Sequence, residues 1–313
     1  MAQIIFIGNY KGGVGKTTTT LYLASYMSKT TNENGEPCKV LVLDIDPQSS
    51  FSQLAMLKNE TNLEKLDDEE TLNYVLDLQI QLIEKYPGLE YQIDNAKIIK
   101  TYRFGDTKFD VIPSSLYYED EMGEYCGLDK LAMRMKPEPI YYNILKSYID
   151  TFKEQYDYIL IDCPPSSNVL TQSAFLLSDR YIIPTIADGV STKGVIHYIE
   201  TVERTYNEIC KQGEGSRIMR GIFGDMPVLT AVFYNMVRAA NYETEKRGLK
   251  EQLKSMKFNE NVILDIGVGN YIDIARSVSK GQVITGLDKC LDDFESTSGE
   301  IIERIKNGYQ SKA

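Results

Sequence analysis

Apolar residues fall in short continuous runs along the chain: "QIIFIGN", "KVLVLDID", "KFDVIP", "YDYILIDC", "RYIIPTI" and "VLTAVFYN". Runs without polar alternation mark strands buried on both faces. Between them lie stretches with helical spacing, near residues 16–29, 138–155, 168–178, 192–211 and 242–256. This alternation predicts an α/β fold, a doubly wound and mainly parallel sheet with helices on both faces, as one domain over residues 1–313. Residues 57–107 break the rhythm. They are acidic ("NLEKLDDEETL"), helical in pattern and interrupted by a turn at Pro87-Gly88, and are read as a helical acidic insertion. "KQGEGSRIMRGIFGDMP" reads as a loop before a strand, and "EIIERIKNGYQSKA" as a short amphipathic helix ending in polar residues.

Composition narrows the picture. A length of 313 residues allows one large or two ordinary domains. The net charge of −11 argues against a chain that is basic all over, while leaving room for a local basic patch. No apolar run is long enough to span a bilayer. The opening "MAQIIFIGNYKGG" has neither a basic leader nor a cleavage site, so the chain reads as cytoplasmic. Cys38, Cys126, Cys163, Cys210 and Cys290 are scattered and odd in number, which argues for reduced thiols rather than disulfides or a zinc site. The single histidine, His197, sits in a helical stretch and reads as a packing or hydrated residue rather than a catalytic one.

The chemistry concentrates in "IIFIGNYKGGVGKTTTTLYLA". A loop between strand and helix offers unpaired backbone N–H groups and the positive end of a helix dipole to phosphate. Gly12, Gly13, Val14 and Gly15 allow the backbone to curl around the oxygens. Lys16 supplies a charge for the β- and γ-phosphates of ATP, Thr17 a hydroxyl for Mg2+, and Thr18 a contact to the α-phosphate. The strict pattern GxxxxGK[ST] fails at Tyr10; what stands here is KGGxGK[ST], with a second lysine, Lys11, opening the loop.

Two strands end in acids. "VLVLDIDPQSS" carries Asp44 and Asp46, and "YDYILIDCPPS" carries Asp162, at the strand ends where open α/β sheets bind ligands. A strand-end aspartate is often a turn or cap residue. Beside a phosphate loop, these are read as Mg2+ and water positioning, with Asp162 acting through water.

"KGGVGKTTTTLYLA", "VLVLDIDPQSS", "FDVIPSS" and "YDYILIDCPPSSNVLTQSA" resemble, in order and spacing, the ParA plasmid and chromosome partition ATPases of the MinD/ParA superfamily, which carry the deviant loop. "IIPTIADGVSTKGV" is similar to the family's next strand-loop-helix, and "IGVGNYIDIARSVSKGQ" resembles its late loop without the usual proline and arginine. The matching blocks cover residues 3 to about 285 and weaken after residue 235. The resemblance implies a slow, partner-stimulated ATPase that forms an ATP-dependent sandwich homodimer. It further implies non-specific duplex DNA binding on the nucleoid and a centromere-binding ParB-like partner. With the loop opening the sequence, the N-terminal DNA-reading domain of the larger members is expected to be absent. It assigns Lys11 to the partner subunit's phosphates, Asp46 to the attacking water and Asp44 to the metal shell.

Other deviant-loop families fit less well. A MinD-like membrane- or cargo-positioning ATPase is the alternative, but its terminal membrane helix needs a basic face. Here Glu300 and Glu303 balance Arg304 and Lys306, so Ile301, Ile302 and Ile305 read as core and no membrane partner is expected. Cys163 lacks the second cysteine of a nitrogenase-type iron protein, and a C-terminal tyrosine cluster, as in bacterial tyrosine kinases, is missing. Lys246, Lys250, Lys254 and Lys257 recur at helical spacing. Alone that is a solvated helix face; with the resemblance it becomes the candidate DNA surface. Asn235 closes "VLTAVFYN", where related folds place an adenine-reading amide, though loop caps also use Asn. Asp188 and Asn270 are lesser candidates for the same pocket.

Overall fold

The computed structural model describes residues 2–57, 63–237, 242–283 and 289–312, the side chains of Lys289 and Cys290 excepted. The start of the acidic insertion and part of the stretch after Asn235 lie outside them. Seven strands are described: β1 (Gln3–Ile7), β2 (Val40–Asp44), β3 (Lys100–Phe104), β4 (Thr107–Ile112), β5 (Tyr158–Asp162), β6 (Arg180–Ile186) and β7 (Val228–Asn235). They form one sheet in the order β3-β4-β2-β5-β1-β6-β7, parallel except for β3 against β4. The apolar runs are buried on both faces because helices cover both. The helices are α1 (Lys16–Lys29), α2 (Ser50–Met56), α3 (Leu72–Lys85), α4 (Asn95–Ile98), α5 (Leu128–Arg134) and α6 (Pro139–Asp150). They continue with α7 (Val169–Leu176), α8 (Gly189–Asn207), α9 (Ser216–Phe223), α10 (Tyr242–Ser255), α11 (Ile272–Val278) and α12 (Lys289–Lys306).

Two apolar layers flank the sheet. One collects residues of α3, α5, α6, α7, α8 and α10. The other collects residues of α1, α2 and α12, with Tyr22 stacked on Phe294 at 4.1 Å. Ile301, Ile302 and Ile305 belong to this second layer, so α12 spends its apolar face on the core. No described helix is long and apolar enough to cross a membrane.

Three expectations change. The insertion at 57–107 is not helical throughout: it ends in β3, the antiparallel edge of the sheet. Gly105 and Asp106 form a two-residue hairpin loop, Gly105 takes a positive φ, and Tyr102 stacks on Phe109 at 4.6 Å. Its helix α3 is keyed to the body by a buried Asn73, which donates to the carbonyls of Ser115 and Cys126. "KQGEGSRIMRGIFGDMP" contains a helix, α9, rather than only a loop. Met219 is its one fully buried residue, although Ile218, Met219, Ile222 and Phe223 give it a clear helical periodicity that the flanking glycines obscured. The tail helix begins well before Glu300, at Lys289.

The register brings the chemistry together. Asp44 pairs with Asp162, and Asp162 with Ile7, so β1, β2 and β5 end at one level. The loop after β1 opens at that level.

Candidate functional site

Helix α1 starts without a side-chain cap and with no acid in its first turn. Its first N–H groups are therefore free for an anion, in line with the dipole. Gly15, at φ 85°, turns the chain into the helix. A Cβ there would meet Asn235 Nδ2 at 2.7 Å, so two separate constraints require glycine. Gly12 and Gly13 are exposed on the open side, and Val14 is fully buried beneath.

Lys16 is buried and its amine donates to the Lys11 carbonyl at 3.2 Å. Desolvation holds its pKa below the ordinary lysine value, opposed by the charges of Asp162 and Asp46. Such an amine gains from an arriving polyphosphate, which restores a counter-charge. Thr17 donates its hydroxyl to Asp162 at 2.8 Å, and Thr20 donates to the other carboxylate oxygen at 2.9 Å. Thr18 is half-buried at the start of the helix.

Asp162 is 1% exposed, and its carboxyl is pushed up by burial and by the neighbouring Asp44 charge. With Thr17 between it and the loop, Asp162 meets any cation through that hydroxyl or through water. Among the described residues no three Asp, Glu, His or Cys side chains converge into a metal cage. A Mg2+ ion suits this site only if phosphate and water supply most of its ligands, which is its ordinary preference.

Asp44 closes β2. It is fully buried, Oδ1 accepts the Asp46 N–H, and Oδ2 accepts both the N–H and the hydroxyl of Ser52. These bonds shape the turn that carries Asp46. Asp46 is half-exposed beyond the strand end, where it accepts the Gln48 N–H.

Asn235 closes β7 beneath the loop. Its Nδ2 donates to the Val14 carbonyl at 2.9 Å and to Thr19 Oγ1 at 3.2 Å, bracing the loop from below. Both Nδ2 donors are thus engaged, while the buried Oδ1 has no partner. Asn270, in the loop after Gly269, has an interaction of its own. Asp188 caps α8 and accepts from the Lys11 amine at 2.7 Å. Nothing in the sequence signals that contact, because its partners are far apart along the chain.

The basic stripe does not survive intact. Lys246 is buried and donates to Asp265 at 3.1 Å, while Lys257 lies past the end of α10 at φ 64°. Lys250 and Lys254 remain on the open side, near Asp265 and Glu260 respectively. Arg247, which the lysine spacing missed, is exposed beside them. Cys163 is buried with its thiol pKa pushed well up by burial, and His197 is exposed on α8.

The buried acids set a pH dependence. Asp162 rises from 3.8 to about 8, with burial the main cause. A carboxyl raised by folding holds its proton more tightly in the folded chain. Its stabilising contribution is therefore complete below about pH 4 and is lost as pH climbs towards 8. Without nucleotide or Mg2+, thermal melts are expected to show a falling midpoint between about pH 5.5 and 8.5. Asp162→Asn is expected to flatten that fall. A parent midpoint that stays level across this range would contradict the assignment.

Residues 2–212 match the model of a family described as an AAA domain. The sporulation initiation inhibitor protein Soj of Bacillus subtilis (strain 168) is 30% identical over 206 residues, 64% of this chain and 65% of Soj. The virulence plasmid ParA family protein pGP5-D of Chlamydia psittaci is 29% identical over 189 residues, 60% of this chain and 58% of that protein. The matches thus span less than two thirds of these relatives. Among solved structures, the Cyanothece McdA–ATP complex superposes with a TM-score of 0.67 at 17% identity, covering 100% of this chain and 98% of that one. pNOB8 ParA bound to nonspecific DNA gives 0.64 at 21%, covering 98% and 99%. At these identities the structural likeness speaks for the fold.

Proposed function

Since the chain belongs to the AAA domain family, on its ParA branch, we propose that it is a Mg2+-dependent ATPase of DNA partition that cycles between monomer and ATP-bound homodimer. The observation that carries this reading is the uncapped start of α1 with two lysines at it, Lys11 and Lys16. Lys16 and the α1 amides bind the phosphates, and the curl of Gly12, Gly13, Val14 and Gly15 admits them without side-chain collision. Thr17, steadied by Asp162, faces the metal. Mg2+, when bound, neutralises charge that develops on the phosphates. Asp46 orients the attacking water on the turn that Asp44 braces. Lys11 reaches the nucleotide of a partner subunit, so the dimer is rewarded only with ATP present. The McdA neighbour is a complex with ATP and the pNOB8 ParA neighbour is bound to nonspecific DNA, which supports both ligands here. A ParB-like activator and a nucleoid location follow from the same branch. The apolar face of α12, turned into the core, gives the MinD-like membrane reading no anchor in that helix.

For DNA, we take Lys250, Lys254 and Arg247, on the open side of α10, as the candidate contacts. We expect Lys250→Glu with Lys254→Glu to weaken binding to all duplex sequences about tenfold or more at moderate salt, with basal ATP turnover kept. Four charges reverse per dimer, so the log–log salt slope is expected to fall by about 2–4. Fluorescence anisotropy with ATP over a salt series measures both. Parent-like binding by the double variant would place the DNA surface elsewhere.

A further inference from the structure

The Lys11 amine is occupied. It donates to Asp188 Oδ2 at 2.7 Å and to Ser191 Oγ at 2.6 Å, both in the first turn of α8. Asp188 is the cap of that helix: its Oδ1 accepts the Ser191 N–H at 2.8 Å, and Oδ2 also accepts the Ser191 hydroxyl at 3.0 Å. The Lys11 and Asp188 side chains are 31% and 40% exposed, so the pair is reachable by solvent and can open. One turn along, Thr192 bonds the Asp188 carbonyl and donates to Glu245 of α10, which fixes the start of α8 against its neighbour.

The placement of Lys11 is electrostatically odd. An ammonium at the N-terminus of a helix meets the positive end of the dipole and is disfavoured there. What keeps it in place is the Asp188 carboxylate, with the Ser191 hydroxyl as second acceptor. Without that charge, α8 would repel the amine.

We propose that Asp188 is the positioning residue for Lys11: in the ATP-free chain it parks the amine on α8, and dimerisation exchanges this carboxylate for the phosphates on the partner subunit. This rests on the reading of Lys11 as the cross-subunit contact and adds a gate to it. ATP must offer Lys11 more than Asp188 does before the sandwich closes. The parked amine is also kept away from the chain's own nucleotide, which is served by Lys16. A half-exposed ion pair is worth a factor of about 2–5, and a dimer opens two of them, so the latch weakens dimerisation about 4–25-fold.

Asp188→Asn tests this, because Asn keeps the cap and the shape while removing the charge. Sedimentation velocity over a protein dilution series, with Mg2+ and a non-hydrolysable ATP analogue, compares four chains: the parent, Asp188→Asn, Lys11→Ala and the double variant. The expected result is a dimer about 4–25-fold tighter in Asp188→Asn and no dimer in either chain lacking Lys11. Ser191→Ala, which removes the second acceptor, is expected to shift dimerisation in the same direction by a smaller factor. If Asp188→Asn dimerises like the parent or more weakly while Lys11→Ala fails to dimerise, Asp188 is only a helix cap and the gate is refuted. If the double variant regains the dimer, Asp188 acts by a route other than Lys11, which also refutes it. A Lys11→Ala chain that dimerises like the parent overturns the underlying role of Lys11 instead.

Discussion

Asp46→Ala binds ATP and forms the ATP-dependent dimer but hydrolyses about 10²–10⁴ times more slowly than the parent. The expectation follows from what the side chain does and does not hold. Its carboxylate accepts a single bond, from the exposed Gln48 N–H, and sits half-exposed beyond β2. Losing that bond costs about 0.5–1.5 kcal/mol, too little to unfold the chain. The turn itself survives, because Asp44 still accepts the Asp46 N–H and both donors of Ser52. Phosphate binding survives too, since Lys16 and the α1 amides are untouched. What disappears is the most open of the three candidate acids, Asp44, Asp46 and Asp162, and with it the proposed orientation of water. Single-turnover phosphate release beside equilibrium nucleotide binding separates the two effects. Undiminished turnover in this variant would reject Asp46.

Gly15→Ala is expected to lose nucleotide binding and about 2–4 kcal/mol of stability, through two costs that a second substitution can separate. A Cβ at φ 85° carries the left-handed penalty of about 1 kcal/mol. The same atom would stand 2.7 Å from Asn235 Nδ2 and push the amide off both Val14 and Thr19. Leaving those buried groups unpaired costs about 1–3 kcal/mol more. Combining Gly15→Ala with Asn235→Ala removes the collision, so the two changes together are expected to cost less than their sum. Urea melts of the four chains measure this coupling. Simple additivity, or a Gly15→Ala chain that melts and binds ATP like the parent, would remove Asn235 from its place under the loop.

The phosphate loop was legible in the sequence because its requirements are local. Curling backbone, lysine and hydroxyl sit within a few residues, and strand and helix flank them. The sheet was legible because parallel strands buried on both faces leave continuous apolar runs. Strand β3 was not, since an edge strand shows the core only Tyr102 and, in part, Phe104, and acidic helical sequence precedes it. Asp44 and Asp46 could not be told apart from spacing. Their surroundings diverge through Ser52, whose bonds to Asp44 depend on how α2 returns to the strand end. Lys246 was a misreading open to correction from the sequence itself. On a helical wheel it lies only about 20° from Leu253, on the buried side of α10. Asp188 was beyond reach, because its bond to Lys11 joins residues on opposite sides of most of the chain.

The sheet order has a further consequence, for how the molecule is made. Strand β1 lies between β5 and β6, with Gln3 against Tyr158 and Ile5 against Arg180. Of the seven described strands a ribosome therefore delivers β1 first and its neighbours fifth and sixth, the nearer after about 150 further residues. At ordinary elongation rates that interval is roughly 10–30 s, long compared with hydrophobic collapse. Throughout it, "QIIFI" is an apolar strand with two open edges, and the glycine-rich turn behind it has no floor, because Asn235 does not yet exist. Neither ATP nor the second subunit proposed above can assist, since the site is assembled only when β5, β6 and β7 arrive. Such a newborn chain needs shielding from its neighbours, and parallel pairing over so long a loop closes slowly. The central place of β1 in the finished sheet thus leaves the unfinished chain with open apolar edges, the kind of surface that chaperones shield.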